Sequence, residues 1–137
     1  MTKTNKRFFR LASVASKTST YPRTHIGATI VIGRQLVSTG VNRWRTHTKQ
    51  KRYSKYRYIN IRDVETDAGR THAEMDAIIK AGRTDLTGSS IYVYREDLTG
   101  AIADSKPCGA CMRAIKDRGI KHIYYTSRDG YNHLELI

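Results

Sequence analysis

The chain has 137 residues, a formal charge of +13 and an isoelectric point near 10.0. That length fits one domain with a core large enough to need no disulfide staples. The two cysteines, Cys108 and Cys111, are too close in sequence to make a disulfide framework and point to a reducing compartment. No stretch is apolar for long enough to serve as a signal-peptide core or to cross a membrane, so a soluble cytoplasmic protein is expected.

Residues 5–18 are predicted as a helix. Phe8, Leu11, Ala12 and Ala15 fall on one face, with Lys6, Arg10 and Lys17 elsewhere. Tyr21-Pro22 ends it. Residues 27–32 are rich in β-branched side chains and read as a buried strand. Gly33-Arg34 makes a turn, and residues 35–41 return to complete a hairpin. Residues 42–69 are polar and without a clear period, and are predicted as a long basic, Tyr-rich loop within the single domain. Between positions 43 and 62 the basic residues Arg43, Arg45, Lys49, Lys51, Arg52, Lys55, Arg57 and Arg62 meet no acid. Trp44, Tyr53, Tyr56 and Tyr58 are interleaved with them. A loop this long inside a compact domain is usually functional or disordered.

Residues 71–81 are predicted as a helix with Ala73, Ala77, Ile78 and Ala81 inward and Gly82 closing it. Residues 90–95 alternate as a strand and residues 96–106 form a loop. Pro107 opens a helix that runs to about position 118 and stops at Gly119. Residues 120–126 form a strand. Asp129-Gly130 is a hairpin turn, and residues 133–137 return as an antiparallel edge strand. The class is α/β: a mixed sheet of about five strands with helices packed on it.

Two strings carry chemistry. His72-Ala73-Glu74 and Pro107-Cys108-Gly109-Ala110-Cys111 supply three zinc ligands, His72, Cys108 and Cys111, with one carboxylate beside them. Three protein ligands leave a position for water, the layout of a catalytic zinc site. Zinc would bring that water's acidity towards neutral pH, and Glu74 would take its proton and pass it to a base under attack. Both strings open helices, whose N-termini favour the thiolates that zinc needs. Plain alternatives exist for each part. Thr71-x-x-Glu74 fits a capping box, paired cysteines fit a core, and a lone histidine is commonly structural. The conjunction is more specific than its parts.

The combined H-x-E…P-C-x-x-C pattern is that of zinc deaminases of nucleobases. The chain resembles the cytidine and deoxycytidylate deaminase superfamily. The match runs from His25-Ile26-Gly27-Ala28 through Gly40-Val41-Asn42 and the two strings to Gly119-Ile120-Lys121-His122-Ile123-Tyr124. The resemblance implies a three-layer cytidine-deaminase-like fold with helices on both faces, one catalytic zinc on His72, Cys108 and Cys111, and Glu74 as proton shuttle. It also implies that Asn42 touches the sugar or base and that the amides of Ala73 and Cys108 hold the base carbonyl. A homo-oligomer is common in such a family. Lys106 stands where many members have an acid or a serine, and the cysteines of a second zinc site are missing.

Two substrate classes follow. A nucleotide such as dCMP would meet Arg43 through its phosphate, with Arg45 and Lys106 behind it. Single-stranded nucleic acid or tRNA would stack its bases on Tyr53, Tyr56, Tyr58 or Trp44 while the basic residues track the backbone. Tyr125 is a base-stacking candidate in either case, or a core residue. The short tail after the fourth strand suits an antiparallel fifth strand and argues against a polynucleotide editor. A catalytically idle, nucleic-acid-binding zinc protein is the alternative from outside enzymes. Glu74 argues against it. A deaminase of cytosine nucleotides, with dCMP first, is the expected function.

Overall fold

The computed structural model describes residues 1–22, 24–44, 47–54 and 71–136. In chain order the elements are α1 (Lys3–Ser16), β1 (His25–Ile32), β2 (Gln35–Val41), α2 (Thr48–Ser54), α3 (Ala73–Ala81), β3 (Ser90–Glu96), α4 (Gly109–Asp117), β4 (His122–Ser127) and β5 (Gly130–Glu135). The strands form one mixed sheet in the order β2-β1-β3-β4-β5. Only β3 and β4 are parallel; α4 is the crossover between them. The fifth strand is antiparallel, as the short tail suggests, and begins at Gly130 because pairing starts immediately at Ser127↔Gly130.

Strand alternation divides the core. Ala28 and Ile30 of β1, Ile91 and Val93 of β3, and Ile123 of β4 pack with Met75, Ala77 and Ile78 of α3 and Ala114 and Ile115 of α4. On the other face Phe8 and Phe9 of α1 pack with Val31 and Tyr92. The result is three layers, with α1 on one side of the sheet and α3 and α4 on the other.

Two glycines set how closely the helices lie. A Cβ on Gly27 would sit 1.9 Å from the Ala12 carbonyl oxygen, and one on Gly40 would sit 2.3 Å from the Ala77 nitrogen. Each helix therefore rests directly on strand backbone, which no larger residue permits.

Element starts shift where capping overrides periodicity. α1 begins two residues early because the Thr2 hydroxyl accepts the Asn5 N–H at 3.0 Å. Thr71 is drawn out of α3 by a backbone bridge to Arg43, with N–H···O distances of 2.8 and 3.0 Å. Its hydroxyl accepts the His47 N–H at 2.8 Å. The N-cap is His72, so the Thr71–Glu74 capping box does not form.

The polar stretch after β2, predicted as loop, contains α2. Its inward residues are few, so no period shows. Gln50 is buried and Tyr53 packs against the main core. The His47 ring Nδ1 accepts the Lys49 N–H at 3.0 Å at the start of this helix. Arg45 and Tyr56, together with Lys55, Arg57, Tyr58 and Arg62, lie outside the described residues. No helix among the described residues is long and apolar enough to cross a membrane.

Candidate active site and metal centre

The two helices that pack side by side on one face bring the two sequence strings together. His72 is the N-cap of α3 and Cys108 is the N-cap of α4; neither side chain caps its own helix. Both are thereby left to point away from their helices, and Cys111 follows in the first turn of α4. His72 Nδ1 lies 3.6 Å from Cys108 Sγ and 3.3 Å from Cys111 Sγ. All three donor atoms fall within 4.8 Å of one another. Tetrahedral zinc with ordinary Zn–S and Zn–N bonds sets such an N···S separation at about 3.6 Å. The donors match that geometry and chemistry, so these residues fit a zinc ion.

The surroundings favour the ligand forms. The Cys108 thiol is pulled down to about 3, first by the hydrogen bond from Cys111 and then by His72, against the opposing effect of burial. The backbone N–H of His72 donates to the Gln50 side-chain carbonyl at 3.0 Å. Thus α2, inside the stretch without periodicity, helps to place a metal ligand.

Glu74 lies in the first turn of α3 and is 5% exposed. Burial raises its carboxyl above the ordinary range. Cys108 adds to this, while His72 and Cys111 oppose it. A carboxyl raised in this way holds a proton more readily than an exposed one.

A cavity of about 180 Å³ opens at these residues. His72, Glu74 and Cys108 line it, together with Asn42, Arg95 and Lys106. Asn42 is buried, and its side chain is engaged. Its Oδ1 accepts from the Ser19 hydroxyl at 2.6 Å and the Ile26 N–H at 2.9 Å, and its Nδ2 donates to the Thr24 carbonyl at 2.7 Å. It holds the start of β1 to the end of β2 at the edge of the cavity. Ala73, between His72 and Glu74 at the start of α3, is fully buried.

Other sequence candidates lie elsewhere. Arg43 Nε pairs with the Asp76 carboxylate at 3.1 Å, and Arg43 is not among the residues lining the cavity. Asp76 is almost buried and also accepts from the Val41 N–H at 3.0 Å and Lys80 at 3.0 Å. It holds Arg43 against α3. The Tyr53 hydroxyl donates to Asp117 at 2.8 Å, with its ring on the core, instead of offering a stacking face. Tyr125 packs against the main core and does not line the cavity. Trp44 is exposed and lies beside Tyr21, with ring centroids 5.3 Å apart.

Sequence reasoning missed Arg95, Gln50 and Asp76. A signal for Arg95 was available: on β3 it follows Ile91 and Val93 at a spacing of two, which puts it on the helix-bearing face with the site.

Residues 2–127 match the family model described as the cytidine and deoxycytidylate deaminase zinc-binding region. The chain belongs to the cytidine and deoxycytidylate deaminase family. A deoxycytidylate deaminase of Mycobacterium phage D29 is 30% identical over 126 residues, covering 86% of this chain and 90% of the relative. The human deoxycytidylate deaminase is 28% identical over 132 residues, 88% of this chain but 62% of the human one. The fold is shared with a dCMP deaminase of cyanophage S-TIM5, at a TM-score of 0.65 and 21% identity, over 93% of this chain and 86% of that one. That phage enzyme has also been solved in complex with dCMP and dUMP. Membership in the deaminase family accounts for the donor set: this chain is a zinc-dependent deaminase, with a metal centre that His72, Cys108 and Cys111 fit.

Proposed function

We propose that the chain hydrolyses the exocyclic amine of a cytosine nucleotide, with dCMP as the first substrate and dUMP and ammonia as products. The observation that carries this is the opening of Glu74 and the His72–Cys108 pair into one small cavity. The relatives named deoxycytidylate deaminase support the choice of nucleotide. His72, Cys108 and Cys111 would hold the zinc ion, which would supply Lewis acidity to the attacking water.

The chain's own residues then move protons. Glu74 takes a proton from the attacking water as the C4–O bond forms, and delivers it to the ring nitrogen N3. In the second half Glu74 passes the remaining water proton to the amine as the C4–N bond breaks, and ammonia leaves. In this reading the amides of Ala73 and Cys108, at the starts of α3 and α4, hold the base carbonyl. The cavity of about 180 Å³ is smaller than the roughly 300–1,000 Å³ usual for small-molecule sites. It suits a base, leaving sugar and phosphate towards the mouth.

Ammonia release from dCMP by zinc-loaded protein tests the proposal, with cytidine and a cytosine-containing oligonucleotide in parallel and Glu74→Ala as blank. Turnover of the oligonucleotide alone overturns it in favour of a nucleic-acid editor. Sedimentation of the zinc-loaded protein tests the homo-oligomer that the family resemblance implies.

A further inference from the structure

Among the described residues Arg95 has no acidic partner. It stands near the C-terminal end of β3, on the face that carries α3 and α4. Ligands of open α/β sheets bind outside the carboxyl ends of parallel strands, and β3 and β4 are the parallel pair here. The segment after β3 folds back and fixes the place. Ala103 N–H donates to the Arg95 carbonyl at 2.9 Å, Ser105 N–H donates to the Thr126 carbonyl at 2.9 Å, and Arg95 N–H donates to the Thr126 hydroxyl at 3.2 Å. Past Val93 this segment is wedged between β3 and β4, and it brings Lys106 to the same cavity as Arg95.

The guanidinium is only partly engaged. One terminal nitrogen donates to the Asp104 carbonyl at 3.2 Å. The Nε–H is buried and has no hydrogen-bond partner. Among the described residues Arg95 and Lys106 make no ion pair. A buried, unpaired donor on a cation is costly unless a ligand completes it. Among the described residues that line the cavity, exposed Asp104 is the acid beside Lys106, and its carboxylate already accepts the Lys106 N–H at 3.0 Å. Depth is graded: Glu74 and Asn42 are buried, Arg95 is half-buried and Lys106 is exposed. With the base at Glu74, a nucleotide's phosphate lies outward, where the two cations stand.

We propose that Arg95, with Lys106 beside it, holds the 5′-phosphate of the substrate and selects a nucleotide over a nucleoside. This rests on the cytosine-nucleotide assignment above. It moves the phosphate contact from Arg43, which is tied to Asp76, to a residue on another strand. Planar guanidinium and phosphate oxygens match in a two-point bond that an ammonium does not reproduce.

The test measures dCMP and deoxycytidine side by side with zinc-loaded wild type, Arg95→Ala, Arg95→Lys and Lys106→Ala. Arg95→Ala is expected to lose about 10–150-fold in kcat/KM for dCMP, mostly through KM. Deoxycytidine stays within about twofold, so the preference for the phosphorylated substrate collapses. Arg95→Lys recovers part of the loss, and Lys106→Ala loses less than Arg95→Ala. A parallel fall for both substrates, or no change with dCMP, overturns the proposal. Should Arg95→Ala fail to fold, Arg95→Lys decides by the same ratio. Calorimetric binding of dCMP and deoxycytidine to zinc-loaded Glu74→Gln protein, with and without Arg95→Ala, separates the two claims. If wild type releases no ammonia, the deaminase assignment falls, while loss of the dCMP binding preference still supports Arg95 and its persistence overturns it.

Discussion

The two faces of the sheet are packed by different chemistry. The face under α3 and α4 is lined by Ala, Ile, Val, Leu and Met and opens at its edge into the active site. The face under α1 is aromatic: Phe8, Phe9, Tyr92, Tyr124, Tyr131 and His133 form a continuous series of ring contacts. Small side chains let α3 and α4 lie close enough for their N-termini to share a metal. Large rings cover the far side with few residues. One face therefore positions chemistry, and the other contributes mainly stability.

Substitutions can separate these roles. Glu74→Gln is expected to cut ammonia release by about 10²–10⁴-fold. Zinc content, read by elemental analysis, should not change. Because burial already disfavours the charged carboxylate, the melting temperature should hold or rise. A variant that loses zinc as well would mean that the carboxylate organises the metal site, and the division of roles within that face would be wrong.

Phe8→Ala sits on the other face, where the ring is fully buried. A loss of about 3–5 kcal/mol in chemical denaturation is expected. Turnover per folded, zinc-loaded molecule should match wild type.

The two close-packed glycines give a matched pair. Gly27→Ala pushes on α1 and Gly40→Ala pushes on α3, each against backbone. Each should cost about 1–3 kcal/mol. Only Gly40→Ala should also lower kcat, because α3 carries His72 and Glu74. Equal kinetic damage from both would show that the sheet transmits strain across its thickness and would erase the distinction.

The smallest effect is alkaline. Tyr92 is pushed up to about 12, first by burial and then by Tyr124. Between pH 10 and that value the folded state keeps a proton that the unfolded state has lost, so stability falls as pH rises through this window. Urea midpoints at stepped pH should show the decline. Tyr92→Phe should flatten it, at the cost of the 2.6 Å hydrogen bond to Asn5.

Much of this was readable from residues alone. A β-branched run marked β1, alternation marked β3, and Gly82 and Gly119 marked the helix ends. The metal ligands were legible because zinc demands particular donor types, and few other arrangements use them at helix starts. The α2 helix was not legible, since among its described side chains Gln50 and Tyr53 alone are seen in the core, and no period can emerge from two positions.

The α/β class, the donor set and the carboxylate beside it were legible in the sequence, because each depends on local pattern or on residue chemistry. The tertiary structure decided which cations face the cavity. Arg43, next in sequence to Asn42, is turned to Asp76, while Arg95 and Lys106 come together only because the segment after β3 folds back between two strands. A charged side chain takes its partner from whatever packing brings near, and that is a property of the assembled sheet and not of the neighbouring letters.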